Sequence, residues 1–247
     1  MIVHTSAIVF KAIDYQESSK IVTLFTEEHG KIAVIVKGAK KPKNKFSGLM
    51  ETGRLLDVIY YHKSSRSVQI LTEASLMENL LKLRMDFEKM ATATSAIELF
   101  NQLLHENEIN KPFFNFAKNF LIWLDETDQP PRKIFPYVQI RLTQLMGLGL
   151  RLELAKEQID RPYYLDMESG FISENSGTGS NTFKLTQNQV LYVSLTLKGK
   201  GSKVFGIEFK KSELRELIRL LDRYLKYHVE GLRDRKSDAI FEQILQD

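Results

Sequence analysis

Ile21-Val22-Thr23-Leu24-Phe25, a polar break from Glu27 to Gly30, and then Ile32-Ala33-Val34-Ile35-Val36 read as two strands in close succession. Three further runs of the same kind surround them: Ile8-Val9-Phe10, Leu55-Leu56-Asp57-Val58-Ile59-Tyr60-Tyr61 and Val68-Gln69-Ile70-Leu71. All are rich in β-branched and aromatic residues, which suit a pleated, half-buried surface. The intervening stretches, 14–19, 38–48 and 62–67, are polar. About five strands within residues 1–77 predict a small barrel of the OB type. Strand alternation further predicts that only one of Tyr60 and Tyr61 faces outward.

The texture changes near Ser75. From Glu78 to His105 the apolar residues Leu80, Leu83, Phe87, Met90, Ile97, Phe100 and Leu104 fall on a helical stripe. A second helix is expected over Lys111–Thr127, with Phe113, Phe116, Phe120 and Trp123 near one face. Gln129-Pro130-Pro131 breaks the chain. A third helix is expected over about Arg132–Met146, ending at Gly147-Leu148-Gly149. Residues 150–186 look irregular, with a short hairpin near Tyr163–Ser173 and a polar loop over Ser173–Asn181. Helices are expected again at Gln187–Leu197, Ser212–His228 and Asp238–Leu245. The fold class is therefore α+β: an N-terminal OB-fold β-barrel, residues 1–78, followed by an all-helical C-terminal domain, residues 79–247, with the irregular insert at about 150–186.

The 247 residues are 43% hydrophobic and 27% charged, with both signs represented, which suits folded rather than disordered chain. No apolar run approaches the ~18 residues of a membrane span, and the first residues lack the pattern of a signal peptide. With no cysteine there is no disulfide, thiolate metal site or cysteine nucleophile. These features suit a cytoplasmic protein. Walker A, GxGxxG and GxSxG patterns are all missing. The five histidines, His4, His29, His62, His105 and His228, form no HxxxH pair, so no metal is expected. Asp166, Glu168 and Glu208 are the carboxylates that a metal-dependent nuclease would use. Asp166 and Glu168 read better as part of a turn, and Glu208 as a solvated neighbour of Lys210. The expectation is a non-enzymatic protein without a cofactor.

Charge is unevenly distributed. The chain carries +4 overall, yet residues 31–66 hold nine basic and only two acidic residues and net +7. Lys37, Lys40, Lys41, Lys43 and Lys45 crowd one connection, where Gly38 and Pro42 disfavour a regular helix. They are read as an exposed, flexible phosphate-binding loop, with Arg54, Lys63 and Arg66 as further candidates. Lysines are mobile point charges suited to phosphate contacts without base readout. Tyr15, Phe46, Tyr60 and Tyr61 are candidate stacking residues. A solvated charge run would look similar; a barrel that commonly binds single strands favours the functional reading. Arg215, Arg219, Arg223 and Lys226 form a secondary basic face on the predicted helix over Ser212–His228, opposite Leu214, Leu217, Leu221 and Leu225. Lys198-Gly199-Lys200-Gly201-Ser202-Lys203 is a weaker third candidate.

Asp14-Tyr15-Gln16-Glu17-Ser18-Ser19-Lys20 through Lys31, followed by Val36-Lys37-Gly38-Ala39-Lys40-Lys41-Pro42 and by Phe46-Ser47-Gly48-Leu49-Met50-Glu51, closely resembles the start of the bacterial DNA repair protein family RecO. Leu145-Met146-Gly147-Leu148-Gly149-Leu150 and Arg223-Tyr224-Leu225-Lys226-Tyr227-His228 extend the likeness, with low specificity beyond about residue 150. The resemblance implies an OB-fold and a helical domain, and a nucleoid-associated recombination mediator in DNA damage repair. It implies binding and annealing of single- and double-stranded DNA. It also implies partnership with RecR and with the acidic C-terminal tail of single-stranded DNA-binding protein (SSB), and help in loading RecA. Many members carry a four-cysteine zinc module where this chain has Glu157 and Asp160, so zinc is not expected and local packing is expected to hold 157–181. Arg132, Lys133 and Arg141 are candidate cations for the acidic tail. The competing readings are a protein-binding adaptor with incidental DNA contact, the metal-dependent nuclease, and an RNA-binding OB protein.

Overall fold

The computed structural model describes residues 1–152, 162–174 and 181–244. They fall into two compact units. The first comprises Met1–Thr127 with Arg235–Ser237, the second Asp128–Asp234 with Asp238–Asp247. Among the described residues no helix is long and apolar enough to cross a membrane.

The first unit opens with β1 (Ile2–Tyr15), β2 (Ser19–Thr26), β3 (Gly30–Val36), β4 (Leu55–Tyr61) and β5 (Val68–Glu78). They close into a barrel in the order β1-β2-β3-β5-β4, with β3 and β5 parallel and the other pairs antiparallel. The expected OB-type barrel is therefore present. Closure depends on β1, whose 14 residues serve two partners: Ile2–Ile8 pair with β4 and Ala7–Tyr15 with β2. A bulge between Val9 and Lys11 lets one strand do both. An extra residue at a bulge re-aims its side chain. Val9 accordingly joins the barrel interior, while Phe10 packs outside it against Phe25 and Phe100 at ring separations of 5.4 and 6.5 Å.

Alternation along the strands fills the interior with Val22, Leu24, Ile32, Val34, Val36, Leu56, Val58 and Tyr60. Only one of the two tyrosines faces outward, as the alternation predicts: Tyr60 is fully buried and Tyr61 is exposed. Helices α1 (Leu81–Met85), α2 (Phe87–Leu103) and α3 (Lys111–Glu126) belong to the same unit as the barrel. Phe25 meets Phe113 and Phe114 at 5.9 and 5.4 Å, and Phe100 meets Phe113 at 5.5 Å, so an aromatic layer joins strands to helices.

The single helical stripe expected over 78–105 is two helices. Asp86 adopts an extended backbone between α1 and α2, and its carboxylate accepts the Lys89 amide at 3.0 Å. A side-chain acceptor at that position satisfies an amide the helix leaves open. Asp86→Ala should therefore lower stability by about 1 kcal/mol, measured by urea unfolding with an unchanged m-value.

The second unit holds α4 (Pro131–Leu145), β6 (Arg151–Leu152), β7 (Tyr163–Asp166), β8 (Phe171–Ser173), β9 (Thr182–Leu185), α5 (Gln187–Leu197), α6 (Gly201–Val204), α7 (Lys211–His228) and α8 (Asp238–Ile244). The region after the barrel is thus not all-helical. The expected hairpin is β7–β8, but it sits in a four-stranded sheet ordered β6-β8-β7-β9. β6, at two residues, is too short for periodicity to reveal, and it pairs with β8, some 20 residues further on. Gln139 of α4 donates to Asp222 Oδ1 at 2.7 Å and to the Ile218 carbonyl at 3.2 Å, tying α4 to α7. Thr186 and Gln189 form a reciprocal cap on α5. Leu214, Leu217, Leu221 and Leu225 are buried as expected. Glu157, Asp160 and most of the polar loop after Ser173 lie outside the described residues.

Candidate nucleic-acid interface

The connection after β3 is a chain of turns. Phe46 and Met50 are buried in the barrel core and pin it from below. Asn44 organises it from within. Its amide nitrogen donates to the Ala39 carbonyl at 3.0 Å and to that of Lys41, while its Oδ1 accepts the Phe46 amide at 2.7 Å. Turns close from Gly38 to Lys41 and from Asn44 to Ser47. Lys43 holds a positive φ of 53°, a conformation with a cost for a non-glycine residue.

This packing divides the five lysines. Lys40 pairs with Asp14 at 3.2 Å, and that hydrogen bond, together with the charge of Lys20, holds the Asp14 carboxyl below its ordinary range. Lys45 donates to the Thr72 carbonyl at 2.6 Å and lies 5.2 Å from the Phe46 ring centre. Lys37, Lys41 and Lys43 are exposed. Among the described residues their ammonium groups have no hydrogen-bond or ion-pair partner.

Arg54, Lys63 and Arg66 do not join that cluster. Arg54 is largely buried and bonded to Gly48 and Glu51 at 3.0 and 3.2 Å, bracing the same connection. Lys63 and Arg66 stand on the turn between β4 and β5, at the other end of the barrel. β3 and β5 run parallel with Ala33 opposite Val68, which puts Arg66 level with Lys31. Lys37 lies six residues further along the strand, about 20 Å at a rise of ~3.3 Å per residue. Gln69 holds the second basic turn: its Oε1 accepts the Lys63 amide at 2.9 Å, and its Nε2 donates to the carbonyls of Lys63 and Arg66 at 3.2 and 2.8 Å. Of the candidate stacking residues, Phe46 and Tyr60 are core. Tyr15 and Tyr61 remain exposed.

The matches to family models decide the identity. "Recombination protein O N terminal" covers residues 1–80, and "Recombination protein O C terminal" covers residues 84–238. The chain belongs to the recombination protein O family, RecO. Similar full-length relatives include the DNA repair protein RecO of Salinibacter ruber, 26% identical over 98% of this chain and 94% of the relative, and that of Pelodictyon phaeoclathratiforme, 29% identical over 99% of both. RecO of Prosthecochloris aestuarii is 31% identical over 62% of this chain and 58% of its own length. A role in DNA repair and recombination follows from membership of this RecO family.

The secondary basic face lies on α7. Arg219, Arg223 and Lys226 are exposed and Arg215 is half-buried. Lys226 is tied to Asp234, and the Arg223 guanidinium lies 4.6 Å over the Phe183 ring. Phe183, Lys184, Leu220, Arg219 and Arg223 line a cavity of about 270 Å³. On α4, Lys133 is committed to the Phe205 carbonyl at 3.2 Å and faces Glu208 at 3.6 Å, and Arg141 donates to Gln144 at 2.6 Å. Arg132 is half-buried. Asp166 ends β7 and its carboxylate accepts from Ser169 and Glu168 of the turn that follows, hydrogen bonds that lower its pKa. Among the described residues no three histidine or acidic side chains gather as metal ligands. Asn44 and Gln69 were not singled out by sequence. An asparagine next to a lysine is a faint turn signal, and a glutamine in a strand gives no sign that its amide serves a neighbouring loop.

Proposed function

We propose that this protein binds single- and double-stranded DNA through backbone phosphates at the connection after β3, and that screening the charge of two strands there lets complementary sequences anneal. The observation that carries the reading is the trio Lys37, Lys41 and Lys43, held outward by a connection whose Phe46 and Met50 are buried in the barrel. Unneutralised cations on a connection anchored in the barrel draw a polyanion without choosing sequence. The second unit meets protein partners: RecR, and the acidic tail of SSB, so that RecA is loaded where single strands are coated. An acidic tail with an apolar end needs an apolar hollow beside cations. The cavity at Phe183 and Leu220, where Arg219, Arg223 and Lys184 stand with Glu216, offers an apolar hollow beside cations.

No bond is made or broken in this mechanism. The turn role of Asp166 supports that, since its carboxylate is already used by its neighbours. Mixing two complementary labelled strands with the protein, without nucleotide, should speed duplex formation, and the strands should stay intact when Mg²⁺ or Mn²⁺ is added. Annealing no faster than the protein-free control would remove the mechanism. Cleavage dependent on metal would replace it with the nuclease reading.

A further inference from the structure

At the end of the barrel away from the lysines, a cavity of about 360 Å³ is lined by His29, His62, Arg66, Gln69, Asn107 and Ile109. Its size is at the small end of ligand cavities, which run about 300–1,000 Å³. Two of its walls are aromatic. The His29 and His62 rings stack at 4.6 Å with 24° between their planes, and Tyr60 from the barrel core meets both edge-on. The Tyr60 hydroxyl is 2.8 Å from His29 Nδ1.

Hydrogen bonds hold several of its walls. His62 is bonded at its backbone to Met1 on both sides, at 2.9 and 3.0 Å. Gln69 fixes the turn that carries Arg66. The Asn107 amide donates to the Lys31 carbonyl at 2.9 Å, with Asn107 at a φ of 60°. Ile109 is exposed, and Nδ1 of His62 is buried without a hydrogen-bond partner among the described residues. Buried polar atoms without partners are uncommon.

A flat, apolar-faced guest with donors and acceptors along its edge satisfies this lining. A phosphate would leave the aromatic faces of the lining unused, and Arg66 is its one arginine. We propose that this cavity takes one unstacked base of single-stranded DNA, seated on the His29–His62 stack with its edge toward Asn107 and Arg66. The inference rests on the nucleic-acid reading above and adds a base contact to the phosphate contacts at the opposite end. Stacking platforms of this kind tolerate any base, because each has a π-face.

The test is anisotropy with a short single strand and with the same strand made abasic throughout, at one salt concentration. The wild-type protein should bind the base-bearing strand about 5- to 150-fold more tightly, the range expected of one base stacked on an aromatic side chain. The gap should shrink in His62→Ala and persist in His62→Phe, which keeps a ring. Equal binding of the two strands by wild type overturns the base pocket alone. So does an undiminished gap in His62→Ala together with His29→Ala. Binding of neither strand overturns the phosphate reading with it.

Discussion

Lys37→Ala/Lys41→Ala/Lys43→Ala should weaken binding to single-stranded DNA about 100-fold near 0.1 M salt and flatten the salt dependence by a slope of about 2. Each phosphate neutralised on a single strand adds a slope of ~0.7 to log K against log salt. Removing three lysines, with the lines extrapolated to about 1 M where counterion release no longer drives binding, gives that factor at 0.1 M. Lys40→Ala and Lys45→Ala should do less. Lys40 is already partly neutralised by Asp14, and Lys45 is bonded to the Thr72 carbonyl. The measurement is a salt titration of anisotropy for each variant. Equal losses from the two groups of lysines would mean that the ion pair and the hydrogen bond open on binding. No loss from the triple variant would leave the protein-binding adaptor as the better reading.

Gly30→Ala should be the most destabilising single methyl in the first unit. The residue sits at the start of β3 with a φ of +65°, and a Cβ there would stand 1.9 Å from the Glu108 carbonyl oxygen and 2.5 Å from its carbon. Both are backbone atoms, so no side chain can swing aside. The left-handed conformation alone costs a non-glycine residue roughly 1–2 kcal/mol, and the clash takes the total above ~4 kcal/mol, where few substitutions fall. At about 2–4 °C per kcal/mol for a chain of this size, melting should drop by roughly 8 °C or more. Gly48→Ala is the control: its φ is +71°, but nothing lies within 4 Å of the added carbon. It should cost only the conformational part, roughly 1–2 kcal/mol. Similar melting temperatures for the two variants would mean that the segment around Glu108 yields. Because the neighbouring Asn107 and Ile109 wall the proposed base pocket, Gly30 also fixes the geometry of that site.

The two results bear on different readings. The lysine variant tests phosphate binding, while the glycine variant tests the packing that holds the base pocket in shape. A protein that lost the barrel would lose both, so the lysine variant should keep the melting temperature of the unaltered chain. Its three side chains are exposed, where substitutions away from special features usually change stability by less than about 0.5 kcal/mol.

The amino-acid sequence alone determined the barrel, the positive connection after the third strand and the sidedness of Tyr60 and Tyr61. Those features are written in local patterns: alternation at a period of two, β-branched runs, and like charges close together in the chain. Its motif resemblance also pointed to RecO, which the family matches bear out. Local patterns overran one boundary. The stripe from Leu80 to Leu104 reads as one helix, although Asp86 is a capping residue that starts a second. The tertiary structure decided everything that depends on residues far apart. It committed Lys40 to Asp14 and Lys45 to Thr72, turned Phe46 inward and left Lys37, Lys41 and Lys43 outward. It separated Arg66 from the lysines by the length of a strand and brought His29 against His62. Charge and periodicity are properties of neighbours along the chain. Whether a cation stays free for DNA depends on which carboxylates and carbonyls the fold brings within hydrogen-bonding distance.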